Sequence, residues 1–589
     1  MVHIGTRMLY NKLEYGRKEE MKLNAKAVIK SVIAVVLALL MLWLFAIPVS
    51  LHSPLFVVLC GFAIIGVSFA IVVRREEDYG DSSGGKKILA LWSCIVAVIA
   101  IALLVSSPIV SSHAHASRMD VKQSSFEEWS DRLLIDGISL MDTESAARVG
   151  NRELGSLSDV VSQFGDAAYY QIVLDGKPAK VAPLQYVSVW SWLQNRGNGT
   201  PGYVVVDPIK QEAEYHELGD GKGMKFVPSA FLGEKLARHL WFQFPFDVLG
   251  DSHFELDDEG KPYYVTPVLS FRAGLFGAED VSAVIVTDPA DGSSERYDLG
   301  SVPAWVDVVY SGDMLDSMYD SYGAYSGGFL NSLFSKVGCT KTGGDYGYAT
   351  IDGEQWIYTG VTSMNGDSSN VGFLLASERT KESFFIPMPS ADEASAMSSA
   401  EGKVQQFGYS ASFPSLVSID GQPTYAMVLK DAAGLIRLYA MVNAESYNVV
   451  ACEENLISCK EAYERAMGSA GIRYDKDSVD MPDVDTSEDS GSEVPEASAF
   501  DTEVESSAIV TEGGEAFLYV LGADGKVYRK PFADDRAQAL SIKEGDAWSG
   551  EAYEADGFLV VAGSDASGAD GAAGGTAAGD AGGASDAGR

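Results

Sequence analysis

The amino-acid sequence predicts a membrane-anchored α+β protein. Three N-terminal transmembrane helices are expected first, then repeated modules of a helix and an antiparallel β-meander, and last a small C-terminal β-barrel-like domain. Three features of the 589-residue chain support this fold class. Long apolar runs without charge lie near the N-terminus, and basic residues flank alternate ends of these runs. Further along, short runs of aromatic and β-branched residues are separated by turn-forming pairs.

Three apolar runs define the predicted anchor, residues 31–110. Residues 31–50, 53–73 and 88–110 contain no Asp, Glu, Lys or Arg. Each reaches the roughly 20 residues that a helix needs to cross the hydrocarbon core of a bilayer, and a helix lets a single segment satisfy its own backbone there. Buried globular helices rarely lack charge over such lengths. A cleaved signal peptide fits the first run poorly, because its basic region is long and a second run follows at once.

The basic residues set the predicted orientation. Seven of them precede the first run: Arg7, Lys12, Arg17, Lys18, Lys22, Lys26 and Lys30. Four more lie between the second and third runs: Arg74, Arg75, Lys86 and Lys87. Because cytoplasmic loops carry an excess of Lys and Arg, residues 1–30 are expected in the cytoplasm. Three crossings would leave everything after residue 110 outside the cytoplasm, in the cell envelope, with the lipid bilayer as a partner.

The charge distribution argues against nucleic acid as a partner. Of the 44 Lys/Arg and 82 Asp/Glu residues, 11 and 7 precede residue 111, so the remainder carries 33 bases and 75 acids, a net charge of −42. Such a surface repels nucleic acid and anionic headgroups. It suits solubility, or else basic or divalent partners. The five cysteines show no zinc-site or redox spacing, and no cofactor is predicted.

Residues 111–165 predict a helical stalk, and residues 166–468 predict extracytoplasmic α+β modules. Strand-like runs occupy 169–174, 202–206, 263–268, 281–287, 426–429 and 438–442. Turn-forming pairs open four units: Asp175-Gly176, Glu259-Gly260, Asp352-Gly353 and Asp420-Gly421. Because Asp-Gly pairs favour tight β-hairpins, each unit is expected to be a meander, and helical stretches precede three of the units.

Three of the four units have a Pro two residues after the turn pair, at Pro178, Pro262 and Pro423, whereas the third unit has Gln355 there. In two units a second strand ends in Asp-Pro. The clearest instances are PYYVTPV from Pro262 with IVTDPADGSSERY from Ile285, and PTYAMVLKDAAGLIRLYAMVNAESYNVVA from Pro423. This pattern resembles PepSY-type domains. The segment FELDDEGKPYYV from Phe254 is similar to a group of uncharacterised Gram-positive envelope proteins with a short membrane anchor. The resemblance covers roughly residues 165–468 and implies binding or inhibition of peptidases, or envelope sensing, without a catalytic set.

The C-terminal part is predicted to contain one small domain between two unstructured segments. Residues 469–507 are acidic and rich in Ser, which predicts a flexible linker. Residues 508–563 regain alternation with Gly turns. Five short strands there predict a small β domain, with an OB-fold as one interpretation. It lacks the basic, aromatic groove that nucleic acid binding needs. Residues 564–589 are mostly Gly, Ala, Asp and Ser, which predicts disorder.

Residue patterns for catalysis and metal binding are weak. The chain has no HExxH or Walker motif, so no catalytic, cofactor or metal residue is predicted and the protein is not expected to be an enzyme. His113 and His115 are too few for a metal site. Five further residues could bind calcium, although a solvated hairpin turn is favoured. They are Asp251, His253, Glu255, Asp257 and Asp258.

Aromatic residues form the predicted binding surface. Seven of them lie in one glycine-containing region: Tyr319, Tyr322, Tyr325, Tyr346, Tyr348, Trp356 and Tyr358. Tyr and Trp often anchor protein interfaces, and sheet packing explains the same residues equally well.

The leading hypothesis for function is a non-catalytic, membrane-anchored cell-envelope protein that binds or regulates a protein or peptide partner. An envelope-polymer hydrolase with a carboxylate pair and an extracytoplasmic sensor subunit are the alternatives. The sequence does not predict the oligomeric state.

Overall fold

A computed structural model describes residues 33, 35–79, 84–166, 168–219, 221–365, 369–472, 498–512, 515–531, 543, 545–555 and 558–561. The chain forms two compact units, Met1–Asp483 and Val484–Arg589. The predicted cytoplasmic segment 1–30, most of the predicted linker and the predicted tail 564–589 lie outside the described residues.

The prediction of three transmembrane helices is wrong. Within the described residues, a single helical stretch, Leu89–Ala116, is long and apolar enough to cross a membrane. The apolar helices before it are shorter: α1 (Val35–Leu44), and Pro54–Ser68 within α2 (Pro54–Tyr79). A spanning helix needs roughly 20 apolar residues. The structure therefore shows one helix that could anchor the chain in a membrane, followed by a unit that is mostly β with several sheets.

Two local breaks explain why uncharged runs overstate helix length. The first run stops being helical after Leu44, because Ala46 takes a left-handed φ of 50° and Pro48 follows it. The third run contains two helices, α3 (Gly84–Ser106) and α4 (Pro108–Ala116), separated by Ser107 with an extended backbone. Proline suits the first turn of a new helix. The chain changes direction at this point, since His115 Nε2 donates a hydrogen bond to Ser106 O over 2.9 Å.

The first two sheets of the first unit are antiparallel. One contains β2 (Phe164–Asp166), β3 (Tyr170–Leu174), β4 (Lys177–Tyr186), β5 (Gly202–Asp207) and β6 (Glu212–Glu217). Its order is β2-β4-β5-β6, with β3 also beside β4. The other contains β7 (His253–Leu256), β8 (Pro262–Ala273), β9 (Gly277–Thr287) and β10 (Ser294–Asp298). It is a meander in the order β10-β9-β8-β7.

The strands of the third and fourth sheets come after those of the second sheet in the chain, except for the first strand of the third sheet, which precedes all the others. The third contains β1 (Val121–Gln123), β11 (Thr340–Thr342), β12 (Gly347–Ile351), β13 (Glu354–Ser363), β14 (Ser369–Ser377) and β15 (Ser383–Ala391). Its order is β1-β15-β14-β13-β11, with β12 beside β13 and β1 parallel to β15. The fourth contains β16 (Ser410–Ala411), β17 (Ser415–Ile419), β18 (Gln422–Lys430), β19 (Ile436–Asn443) and β20 (Val450–Glu453). Its order is β16-β18-β19-β20, with β17 beside β18.

Among the described residues of the first unit, seven further helices lie between or beside these strands. They are α5 (Thr143–Gly155), α6 (Ser158–Val161), α7 (Val189–Asn195), α8 (Leu236–Gln243), α9 (Gly312–Tyr325), α10 (Glu393–Lys403) and α11 (Leu456–Ser469).

Within the described residues, three apolar cores join the four sheets of the first unit in succession, and the first sheet also contacts the fourth, where Gln211 Nε2 donates to Tyr439 Oη over 2.6 Å. Successive side chains of a strand point to opposite faces, and the two middle sheets use both faces. In β9, Ile285 belongs to the core shared with the first sheet, whereas Val284 belongs to the core shared with the third. In β13, Ile357 faces the second sheet and Trp356 the fourth. The middle sheets are therefore buried on both sides, which explains the nearly continuous apolar sequence of β9.

Residues 111–165 differ from the predicted helical stalk. Leu133, Ile135 and Ile138 are each 1% exposed and lie in the core between the third and fourth sheets. Two 3₁₀ turns occur here, and at Gly137 a Cβ atom would lie 2.7 Å from Thr350 O. The part from Phe126, expected to be helical, instead forms a folded loop whose apolar side chains pack into this core, whereas α5 and α6 of the same range are helical.

The described residues of the second unit form a closed β-barrel of five strands. Its strands are β21 (Ser498–Glu512), β22 (Glu515–Gly522), β23 (Val527–Pro531), β24 (Ala547–Ala555) and β25 (Phe558–Val561). The closed order is β21-β22-β23-β25-β24, and β23 pairs in parallel with β25. The first strand begins within the predicted linker, ahead of the predicted domain start at residue 508.

Candidate functional site

Hydrogen bonds connect the turn between α1 and α2 to α8 and to the segment that follows α8. The Val49 N–H donates to Pro245 O over 2.7 Å. Trp241 Nε1 donates to Ile47 O over 2.6 Å, and Arg238 Nε donates to Leu44 O over 2.9 Å. Helix α8 and the segment after it therefore hold this turn in place.

Hydrogen bonds also connect the end of α3 to the hairpin between β8 and β9, in the second sheet. Ser106 Oγ accepts hydrogen bonds from the N–H groups of Leu275 and Phe276, at 3.0 and 3.1 Å. His52 Nδ1 donates to Leu275 O over 2.8 Å, and its ring stacks on Phe271. These contacts bring the start of α2 and the end of α3 to the hairpin between β8 and β9.

A groove opens beside these junctions. It consists of two cavities of about 530 and 710 Å³ that share five lining residues. The shared residues are Leu249, Gly250, Asp251, Leu269 and Glu279. The smaller cavity has an apolar wall that includes Phe45, Leu240 and Phe271. The larger cavity extends toward α9 and includes Arg118 and Asp313.

The groove is acidic. Asp247, Asp251, Glu279 and Asp313 line it, and Arg118 is its one lining base among the described residues. Burial raises the pKa of Glu279, and the Arg118 guanidinium opposes this shift.

The Arg118 guanidinium is 6% exposed and serves the fold. It donates to His115 O, Glu279 O and Ser317 O over 3.0–3.2 Å, and to Ser321 Oγ over 2.7 Å.

Asp247 pairs with Arg296, and Asp313 accepts a hydrogen bond from Tyr346 Oη over 2.9 Å. The groove therefore presents mainly the carboxylates of Asp251 and Glu279 to a ligand, next to an apolar wall.

Three buried carboxyl groups lie at the edge of the core between the second and third sheets. Glu255 Oε2 and Oε1 accept the N–H groups of Asp307 and Val308, at 2.7 and 3.1 Å. Asp307 Oδ2 accepts the Val173 N–H over 2.6 Å. Burial raises the pKa of Asp307 to about 7 and that of Glu378 to about 8. Because each carboxyl joins a loop or strand to its neighbour, we assign the group a structural role.

The predicted aromatic surface is divided between two cores. Trp356 and Tyr358 are 4% and 1% exposed, in the core between the third and fourth sheets, and Tyr319 is 2% exposed in the core between the second and third. These three offer no face to a partner. The other four are partly exposed: Tyr322, Tyr325, Tyr346 and Tyr348. A binding surface on those four stays a prediction.

Three of the candidate metal ligands, His253, Glu255 and Asp257, make hydrogen bonds within the fold, whereas Asp251 lines the groove. His253 Nε2 donates to Gln171 O over 3.1 Å, and burial lowers the pKa of His253 to about 4. Asp257 Oδ1 accepts the N–H groups of Glu259 and Lys261, as in a hairpin turn. Over the described part of the chain, no group of three or more His, Cys, Asp or Glu residues could hold a metal ion.

Sequence reasoning did not single out the groove. Its residues come from a turn near residue 50, a segment near 250, strands β8 and β9, and α9, so they are far apart in the chain. The three buried carboxyl groups were not identified as a group either, because the chain contains many acidic residues. Among the three, only Glu255 was considered, as a candidate calcium ligand. Their burial depends on the packing of sheets, which no local pattern reveals.

No family model matches the chain, and neither a curated protein nor a solved structure matches it. Function must therefore be inferred from the geometry of the chain itself.

Proposed function

We propose that the chain is a non-catalytic, membrane-anchored protein of the cell envelope that binds a basic segment of a protein or peptide partner. The α3 part of the Leu89–Ala116 stretch supplies the anchor in this proposal. The bases Arg74, Arg75, Lys86 and Lys87 precede it, and a net charge of −42 follows residue 110. The positive-inside rule then favours a cytoplasmic position for these four bases and an extracytoplasmic β-rich part.

The acidic groove is the observation that carries this proposal. It combines carboxylates with an apolar wall, and both kinds of contact suit a peptide that carries Lys or Arg beside apolar side chains. Its position next to Ser106, where α3 ends, would place a bound partner at the membrane surface. The resemblance to PepSY-type domains supports a polypeptide ligand in the same way.

A photo-cross-linking experiment tests the proposal. Asp251→p-benzoylphenylalanine, in the shared part of the groove, should give specific adducts with an envelope protein in living cells. The matched control is Glu461→p-benzoylphenylalanine on α11, where the side chain is also exposed. With the cross-linker at Ser252 instead, the substitution Asp251→Lys should reduce the adduct several-fold, because it reverses a charge that attracts the basic segment. Equal labelling at the two sites would reject the groove as the binding site.

The hydrolase alternative makes a different prediction for the same groove. A carboxylate-dependent glycosidase needs both an acid and a base or nucleophile. If Asp251 and Glu279 had these roles, Asp251→Asn and Glu279→Gln would each abolish the release of reducing ends from purified cell-wall polymer. We expect no release by the unsubstituted chain.

A further inference from the structure

We propose that a separate pocket beside the start of α10 binds a primary ammonium group. The pocket has a volume of about 280 Å³ and is formed by β11, β13, β14 and the first turn of α10. Three buried polar side chains among the described residues line it: Thr342, Asn370 and Glu393. The Thr342 hydroxyl donates to Asp320 Oδ1 over 3.1 Å, so Asn370 and Glu393 are the two considered as ligand acceptors. The inference does not depend on the groove or on the proposed function.

The first observation is an acceptor atom of Asn370 without a partner. The side chain is 2% exposed. Its Nδ2 donates to Glu393 Oε2 over 3.2 Å, to Tyr425 Oη over 3.3 Å and to Ala391 O over 3.5 Å. Tyr425 Oη itself donates to Ala391 O over 2.9 Å, so it can only accept from Asn370. These acceptors fix the orientation of the amide, and the buried Oδ1 has no hydrogen-bond partner among the described residues.

The second observation is a matching acceptor on Glu393. This side chain is 8% exposed, and within the described part of the chain no donor meets its Oε1 with hydrogen-bond geometry, although the backbone N–H of Gly360 interacts with the carboxylate. Gly360 keeps space open beside it, because a Cβ at that position would lie 2.3 Å from Oε1. A buried acceptor that is left unsatisfied costs about 1–3 kcal/mol. Two such atoms on one pocket wall favour a ligand that donates more than one hydrogen bond.

The charge around the pocket selects a cation. Asp345 and Asp392 line it together with Glu393, and Lys341 is its one lining base among the described residues. An ammonium group supplies a positive charge and three N–H donors. A divalent metal fits less well, because no metal-holding group of His, Cys, Asp or Glu is found in the described residues.

The apolar side of the pocket limits the rest of the ligand. Met397, Phe413 and Ala394 complete the wall, so a short alkyl chain can pack there while the ammonium group meets the acceptors. Two natural sources present this chemistry: the side chain of Lys and the amino terminus of a peptide.

Ligand titration of the full chain in detergent micelles tests the proposal. The probes are n-butylammonium for a Lys side chain, glycinamide for an amino terminus, and n-butyltrimethylammonium as a cation without N–H donors. We expect saturable binding of at least one primary amine by saturation-transfer NMR and calorimetry, and at least tenfold weaker binding of the trimethylated probe. Tighter binding of one primary amine identifies the source. Absence of saturable binding of both, or equal binding of the trimethylated probe, would overturn the proposal.

Two substitutions locate the site. Glu393→Gln removes the charge at constant size and should weaken primary-amine binding at least tenfold. The control is Glu461→Gln, at an exposed position of α11, which should leave the affinity unchanged. Gly343→Ala is the second variant, chosen because the fold should tolerate it. Its Cβ would lie 3.8 Å from Glu393 Oε2, in ordinary contact, yet inside the pocket. We expect unchanged thermal unfolding and weakened binding. Unchanged affinity in both Glu393→Gln and Gly343→Ala would show that the amine binds elsewhere.

Discussion

Glu378 shows how burial of one carboxyl group affects the stability of the whole fold. Its side chain is 2% exposed, and Gln355 Nε2 donates to its Oε2 over 2.5 Å. Burial raises its pKa from 4.5 to about 8. The folded state therefore holds a proton that the unfolded state releases between these values. The stabilising effect of this proton is complete below about pH 4.5 and is lost as the pH rises through about 8.

Glu378→Gln should stabilise the protein at alkaline pH. The amide is neutral at every pH and keeps an acceptor for Gln355, so we expect the free energy of unfolding at pH 8 to rise by about 1–3 kcal/mol, with little change at pH 5. Chemical denaturation of the full chain in detergent at the two pH values measures this. Glu461→Gln, at an exposed position, should change neither value. Destabilisation of Glu378→Gln at pH 8 would mean that the carboxylate is ionised in the folded state.

The sequence alone could not identify Glu378, although some residues were predictable. An acid in a chain with 82 Asp and Glu residues carries no local mark of burial. In contrast, three Asp-Gly pairs were predicted as hairpin turns from their own chemistry, and this is confirmed. At Asp175, Asp352 and Asp420 the φ angles are 50–54°, and the following glycines are also in the left-handed region. Two-residue turns between antiparallel strands require this backbone.

At the scale of elements, Asp142 connects the start of α5 to the fourth sheet. Its Oδ1 accepts the Ser145 N–H over 2.8 Å, which caps the helix. Its Oδ2 pairs with Lys430 on β18, whose side chain is 12% exposed. Burial alone would raise the pKa of Asp142, but the hydrogen bonds from Lys430 and Ser145 outweigh it and lower the pKa below 3.8. The stabilisation is therefore present above pH 3.8 and is lost as the pH falls through the folded-state pKa.

Two substitutions at Asp142 separate its cap from its charge. Asp142→Asn keeps a capping oxygen and loses the ion pair, whereas Asp142→Ala loses both. We expect a decrease in unfolding free energy of roughly 1–2 kcal/mol for Asp142→Asn and roughly 2–4 kcal/mol for Asp142→Ala at pH 7. The difference between wild type and Asp142→Asn should shrink below pH 4. Equal effects of the two substitutions at pH 7 would contradict a role for the cap.

Element boundaries show where sequence reasoning succeeds and where it fails. All six strand-like runs overlap observed strands, because alternation and turn residues act over a few positions. The end of α3 at Ser106 and the loop around Ile135 were missed. Both depend on contacts with distant residues, namely Leu275 for Ser106 and the fourth sheet for Ile135. The acidic groove and the ammonium pocket were also missed. Each is formed by segments that are far apart in the chain and come together only when the sheets pack against one another.

At the scale of the whole molecule, the anchor assignment predicts the effect of one charge in α3. Val98 is 60% exposed and lies near the middle of this helix. An arginine at the centre of a spanning helix costs about 2.5–3.5 kcal/mol for insertion. We therefore expect Val98→Arg to lower the fraction of protein that stays in membranes after alkaline extraction. The matched control is Trp190→Arg, at a position that is 71% exposed on the β-rich part. Equal retention of the two variants would contradict an anchor at α3.

The division into two units predicts two separate unfolding transitions. The barrel has its own core, in which Trp548 is 5% exposed and makes edge contacts with Phe500 and Tyr528, at ring separations of 5.2 and 5.6 Å. None of these side chains belongs to the three cores of the first unit. A truncation in one core should therefore affect only the unit that contains it. Removal of a buried Trp side chain costs about 3–5 kcal/mol.

We expect Trp548→Ala to lower or abolish one calorimetric transition of the full chain in detergent and to leave the other midpoint unchanged. Trp548→Phe should shift the same transition by a smaller amount, which keeps the result interpretable if the alanine variant does not fold. The reciprocal control is Tyr463→Ala, because Tyr463 is fully buried in the first unit and hydrogen-bonds Thr424 and Asn443. Tyr463→Ala should lower only the midpoint of the transition that belongs to the first unit. A shift of both transitions by either substitution would show that the units unfold as one cooperative body, which their separate cores do not predict.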